Sequence, residues 1–202
     1  ICQKCNKYNI EQFIHVSALG IEKAIDSKYA MSKLEGEKKI ITNFSKFTIL
    51  RPSIIYSVDD KFTTNLMSLL SLLPIFPLYY NGNTKFTPLH VSDFCEIILK
   101  VIENNILAEV IECVGPEELS FKQILKKLLK SIDKNTILIP FPLKIAKIVA
   151  ILFEMFPKPL ITNDQLRLLK YDNKLSKENK SNIDIGIKAN LNFEEEILKY
   201  SY

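Results

Sequence analysis

The sequence predicts an α/β fold in which a parallel sheet is joined to a smaller α/β lobe, and three observations carry that prediction. An apolar run over residues 12–18 is followed by a helix-like stretch from about Tyr29 to Asn43, and then by a second apolar run over 48–56. Strand, helix and strand in that order make a crossover unit, which sets its two strands parallel and is almost always right-handed. From about Asp59 the chain changes character, with shorter strands, Pro-rich connectors and Lys-rich amphipathic helices. With 47% hydrophobic residues over a length of 202, there is ample material for a packed core.

In chain order, residues 1–9 read as the polar end of a helix leading into the first strand, where alternation puts His15 and Ser17 on one face. The Tyr29–Asn43 helix carries Gly36 in its interior, at a cost of about 1 kcal/mol against Ala; a close approach to a neighbouring backbone is the expected compensation. Residues 62–73 form an apolar helix, and Leu73–Tyr80 a stiff connector that ends in a turn at Asn81-Gly82-Asn83. Thr84–Val91 alternates as a strand, after which Ser92 or Asp93 caps a helix to about Asn104. A short strand at 110–115, a helix capped by Ser120 to about Ser131 and another strand at 136–140 follow. The stretch 142–157 is the most apolar of the chain, bounded by prolines, and is too short and too charged to span a bilayer. Beyond it the pattern gives a helix at 162–171, a polar surface loop at 173–182 and a short helix near 193–200.

The net charge of +4 is mild, and Lys is scattered among acidic residues without a dense basic tract, which disfavours nucleic acid as a partner. Cys2 and Cys5 form a Cys-x-x-Cys, but neither a second such pair nor a Cys/His pair follows at metal-site spacing, so reduced thiols are expected and no metal is assigned. Only 5 Gly occur, none in a Gly-x-Gly-x-x-Gly turn. The reading is of the C-terminal portion of a longer protein; if the protein binds a dinucleotide, the turn that cradles the pyrophosphate is absent from this chain.

The candidate chemistry centres on Ser27-Lys28-Tyr29-Ala30-Met31-Ser32-Lys33-Leu34-Glu35-Gly36-Glu37, which places a phenol and an ammonium one turn apart on one helical face. A nearby cation favours the ionised phenol, one route to an acid/base catalyst. With 8 Tyr in a Lys-rich chain one such spacing arises by chance, so its surroundings decide. Upstream lies Phe13-Ile14-His15-Val16-Ser17-Ala18-Leu19-Gly20 and downstream Phe47-Thr48-Ile49-Leu50-Arg51-Pro52-Ser53-Ile54-Ile55-Tyr56. In this order the segments resemble the second half of the Rossmann-like nucleotide domain of extended or atypical short-chain dehydrogenases/reductases, the epimerase/dehydratase-like branch. Thr87-Pro88-Leu89-His90-Val91-Ser92-Asp93-Phe94, Val114-Gly115-Pro116-Glu117 and the run from Leu160 through Thr162-Asn163-Asp164-Gln165 to Asp172-Asn173 resemble the NAD(P)H-binding accessory subunit family of respiratory complex I and its bacterial relatives.

That resemblance implies residues 1–58 as the C-terminal half of a dinucleotide-binding domain and 59–202 as a smaller substrate- or partner-docking lobe. It implies NAD or NADP as cofactor, Ser17, Tyr29 and Lys33 as a catalytic triad, and Tyr29, Lys33, Pro52, Ser53 and Ile54 as the cofactor edge. The chain departs from the family pattern at Ile54 and Ser57, where relatives often carry Asn and Gly. Two functions stand side by side. One is an NAD(P)-binding accessory or assembly subunit of respiratory NADH dehydrogenase; the other is an NAD(P)-dependent oxidoreductase or nucleotide-sugar epimerase/dehydratase. Only two Arg, Arg51 and Arg167, occur, whereas diphosphate recognition favours Arg forks, and this favours the subunit. Residues 142–157 are then expected either to pack as a helix on their own small lobe or to meet other subunits or a membrane interface, with a cytoplasmic location peripheral to the inner face of an energy-transducing membrane.

Overall fold

The computed structural model describes residues 1–143, 145–146 and 162–200. The expected 142–157 segment therefore lies largely outside the described residues. A four-stranded, all-parallel sheet runs in the order β1 (Phe13–Val16), β2 (Phe47–Pro52), β7 (Glu109–Cys113), β10 (Lys180–Ser181). The helix α2 (Lys28–Asn43) is the crossover between β1 and β2, as the apolar-run, helix, apolar-run order predicts. Every residue of β2 is buried, which is why that strand reads as a continuous apolar run rather than an alternation. One face of the sheet packs Phe47 and Ile49 against Ile40 and Phe44 of α2 and its loop, with Cys5 of α1 (Cys2–Lys7). The other face packs Leu50, Ile111 and Cys113 against Phe94, Ile97 and Val101 of α4 (Val91–Glu103). Thus β7 and β10, from beyond residue 58, return to the main sheet.

The second lobe is built on α3 (Lys61–Leu72) and α5 (Phe121–Ser131), whose Met67, Leu70, Ile124, Leu125 and Leu128 share a core with Phe76, Phe86 and Phe193. Ser120 and Gln123 form a reciprocal capping box on α5, the cap expected from sequence. The connector after α3 is more ordered than expected: β4 (Ile75–Leu78) pairs in parallel with β9 (Ile137–Pro140). The 84–91 strand is divided into β5 (Lys85–Phe86), which pairs with β8 (Leu119–Ser120), and β6 (Leu89–His90), which pairs with β3 (Ile55–Tyr56). Gly115 separates the lobes' strands at a close crossing, since a Cβ there would lie 1.7 Å from the Pro88 carbonyl oxygen.

Two local expectations are corrected. The N-cap of α4 is His90, whose Nδ1 accepts from the Ser92 N–H at 3.2 Å; Asp93 is buried instead, accepting from the N–H groups of Asn190 and Leu191 at 3.2 and 3.1 Å. The 173–182 stretch is no free surface loop, for it supplies β10 and covers the buried Glu112 carboxylate, which accepts from Ser176 N–H at 2.8 Å and Asn179 Nδ2 at 3.1 Å.

Candidate functional site

The site is assembled where β1 ends and α2 begins. Past Val16 the chain stays laced to β2, with Ser17 N–H donating to the Leu50 carbonyl at 2.7 Å and Leu19 N–H to the Pro52 carbonyl at 2.9 Å. Ser27 then caps α2 through its hydroxyl, which accepts from Ala30 N–H at 3.3 Å. One turn separates Tyr29 from Lys33, and the ammonium lies 6.0 Å from the Tyr29 ring centroid. Lys33 Nζ also donates to the Val16 carbonyl at 3.1 Å. Tyr29, Lys33 and the end of β1 are therefore brought together, beside the exposed side chains of Val16 and Tyr29. An ammonium has three donors and this one commits one of them to protein, so the site fits a hydroxylated ligand such as a ribose.

Burial pushes the Tyr29 phenol above its ordinary value near 10. That runs against the expectation that the neighbouring cation favours its ionised form, since desolvation is the cause that moves this group. Ser17 is buried, and its hydroxyl lies near Glu37 without reaching hydrogen-bond geometry. His15 is also turned to α2: its Nε2 is buried without a hydrogen bond, and burial, with help from Lys33, lowers its basicity. Behind these groups Arg51 forks onto Glu37, with Nε to Oε1 at 3.0 Å and Nη2 to Oε2 at 2.6 Å, and its Nη1 reaches Glu22. Burial pushes the Glu37 carboxyl up, opposed by Ser17 and Lys33, and pushes the Arg51 guanidinium down, opposed by Glu112 and Glu178.

Of the remaining cofactor-edge residues, Pro52 ends β2, Ser53 is buried, and Ile54 packs into the second lobe's core. The Ser53 hydroxyl donates to Asn173 Oδ1 at 2.5 Å and accepts from Thr87 N–H at 3.2 Å. Asn173 belongs to a segment running from α6 (Asn163–Leu168) to residue 173 that lies across the ends of β1 and β2. At its start the Asp164 carboxylate accepts from Lys28 N–H at 2.8 Å, Tyr29 N–H at 3.0 Å and the Ser27 hydroxyl at 3.0 Å. At its end Asn173 Nδ2 donates to the Leu19 carbonyl at 2.6 Å, while Asn173 N–H bonds the Lys85 carbonyl at 2.7 Å and Asp172 Oδ1 accepts from Lys85 N–H at 2.8 Å. Desolvation raises Asp164, but the Tyr29 and Lys28 amides, Ser27 and Arg167 outweigh it and hold the carboxyl below its ordinary value. The segment is a strap that ties the second lobe to the helix carrying Tyr29 and Lys33. Its Thr162/Gln165 capping box is visible in the sequence; the partners of Asp164, Asp172 and Asn173 are more than eighty residues away and are not.

No family model matches the chain. Among curated proteins it is 26% identical over 190 residues to the mitochondrial NADH-ubiquinone oxidoreductase 40 kDa subunit of Neurospora crassa, covering 93% of this chain and 49% of that protein. It is 32% identical over 122 residues to NADH dehydrogenase [ubiquinone] 1 alpha subcomplex subunit 9 of Dictyostelium discoideum, covering 60% of this chain and 34% of that protein. The Mus musculus subunit of the same name is 24% identical over 189 residues, covering 93% and 50%. This chain is a homologue of those complex I subunits. It spans half or less of the length of each. The fold of this complex I subunit homologue is shared with dTDP-glucose 4,6-dehydratase from Streptomyces venezuelae, solved with NAD and TYD bound, at a TM-score of 0.67 and 16% identity over 98% of this chain and 61% of that one. It is shared also with UDP-glucuronic acid 4-epimerase from Bacillus cereus, in complex with UDP-glucuronic acid and NAD, at a TM-score of 0.65 and 17% identity over 98% and 63%. The homologue thus has the Rossmann-like architecture of NAD-dependent epimerases and dehydratases, and among its described residues no helix is long and apolar enough to cross a membrane.

Proposed function

We propose that this chain is the C-terminal part of an NAD(P)-binding accessory subunit of respiratory NADH dehydrogenase, in which the dehydrogenase fold serves binding and assembly rather than turnover. Residues 1–58 contribute half of the dinucleotide site and 59–202 the docking lobe, placing the protein peripherally on the inner face of the energy-transducing membrane, with residues 142–157 toward other subunits. The observation that carries this reading is the 163–173 strap. It commits Ser53, the Leu19 carbonyl and the first amides of α2 to internal hydrogen bonds at the sheet ends, where a substrate would need them, while Tyr29 stays exposed and Lys33 keeps donors for a cofactor.

A bound nicotinamide dinucleotide would supply hydride chemistry. The protein's share is to hold the ribose with the free donors of Lys33, to keep Tyr29 protonated by partial burial, and to fix both through the capped start of α2. Titration of the full-length protein with NADPH and NADH, followed by cofactor fluorescence, tests this. Lys33→Ala should weaken binding at least tenfold, while Tyr29→Phe leaves it nearly unchanged. The other reading is an NAD(P)-dependent oxidoreductase or epimerase/dehydratase, favoured by the Tyr29/Lys33 pair, with Ser17 orienting the substrate oxygen. Turnover of a carbonyl or sugar-nucleotide substrate that is lost in Tyr29→Phe would establish that reading against ours.

A further inference from the structure

We propose that the outer face formed by the end of α3, the β4/β9 ribbon and the end of α5 is a docking surface for an anionic lipid bilayer. Four large aliphatic side chains stand in water along it: Leu72 is 78% exposed, Ile137 61%, Ile75 48% and Ile139 39%. Ile75 and Ile137 are register partners across the ribbon, and Ile139 follows on the same side two residues later. Leu72 ends α3 immediately before the ribbon begins. Ile75, Ile137 and Ile139 thus share one side of the ribbon rather than being scattered single exposures.

Thr136, next to Ile137, lines an open pocket of about 470 Å³ together with Lys126, Lys130, Asp133 and Lys134. At the end of α5 and in the turn after it, three lysines, Lys126, Lys130 and Lys134, stand against one acidic residue, Asp133. Lys127 and Lys130 pair with Glu194, whereas Lys126 and Lys134 make no ion pair among the described residues. Aliphatic side chains beside unpaired, flexible lysines suit the boundary between headgroups and acyl chains: the apolar atoms enter it while the ammonium groups meet lipid phosphates. A protein partner fits less well. Protein interfaces are enriched in aromatic residues and Arg and depleted in Lys, and the four exposed side chains here are aliphatic and the cations all Lys. The inference depends neither on a bound cofactor nor on residues 142–157.

Co-sedimentation of the purified protein with vesicles tests it. Vesicles of phosphatidylcholine containing phosphatidylserine should retain the protein, with retention falling as salt rises, and phosphatidylcholine alone should retain much less. Lys126→Glu with Lys134→Glu should lower the affinity at least tenfold, since each surface lysine is worth roughly fivefold. Leu72→Ser with Ile137→Ser should lower it as well with little change in the melting temperature, because these are the two most exposed of the four side chains. Equal retention on both vesicle types, retention unaffected by either pair of changes, or displacement by inorganic phosphate alone would overturn the proposal. Failure to bind vesicles by a protein that still binds NADPH and still assembles with other subunits would overturn this inference and leave the proposed function standing.

Discussion

Arg51 and Gly36 show how single residues set the ground beneath the candidate site. A buried guanidinium is costly unless its charge and its donors are matched, and Glu37, on the inner face of α2, supplies both carboxylate oxygens to it. The pair fixes the rotation of α2 about its own axis, which in turn sets where Tyr29 and Lys33 point, two turns and one turn earlier on the helix. Gly36, next to Glu37, is different in kind. A Cβ there would meet only His15 Nε2, at 3.9 Å, an ordinary contact, so the close backbone approach expected from the sequence is not what the position needs. Gly36→Ala should therefore stabilise the protein by about 1 kcal/mol, the helix-propensity difference, read as a higher urea midpoint at unchanged slope. A fall in the midpoint would mean that His15 cannot yield even this contact.

At the scale of elements, α2 is held at its start by a part of the chain remote in sequence. Asp164 is a second cap beside Ser27, and its negative charge sits at the positive end of a 16-residue helix. Asp164→Ala should cost about 1 kcal/mol at neutral pH, as the loss of a cap usually does. The folded carboxyl titrates below its ordinary value of 3.8, so the contribution is fully present above that value and is lost as pH falls through the lower, folded one. Denaturation midpoints of wild type and Asp164→Ala should differ by a constant amount from neutral pH down toward about pH 5 and converge below about pH 4; a difference that persisted at low pH would show that the carboxylate's charge is not what holds the strap. The crossover helix and its flanking strands were legible from apolar runs and a helical stretch, because those are local patterns. The Asp164 cap, the Arg51–Glu37 fork and the pairing of β4 with β9 were not, because a carboxylate, an amide or a Pro-bearing strand carries no mark of which distant segment it will meet.

The whole molecule places its two lobes on one strap, and that arrangement separates the two functions. An enzyme whose lobes close over a substrate needs an element that moves, whereas here Thr87, Lys85, Ser53 and Leu19 are bound from both sides by residues 172–173. The family resemblance was carried by short runs that the structure turns into long-range contacts: Gly115 against Pro88, Glu117 receiving Phe193 N–H at 3.2 Å, and, between the lobes, Asp164 on Tyr29. The triad's geometry was half legible, since helical spacing brings Tyr29 to Lys33, while the burial of Ser17 beside Glu37 depends on side chains from three elements. If the strapped protein is a subunit, its most apolar stretch should be what other subunits meet. Val149→Asp together with Phe153→Asp in the full-length protein should abolish its co-migration with NADH dehydrogenase subcomplexes on native gels, because an unpaired carboxylate in an apolar interface costs several kcal/mol. NADPH affinity should stay unchanged, since the Lys33 site lies on the sheet lobe, and vesicle binding through Ile137 and Lys134 should persist. Co-migration that survived both substitutions would remove residues 142–157 from the interface, and loss of NADPH binding along with it would mean that the changes had unfolded the protein rather than uncovered a contact.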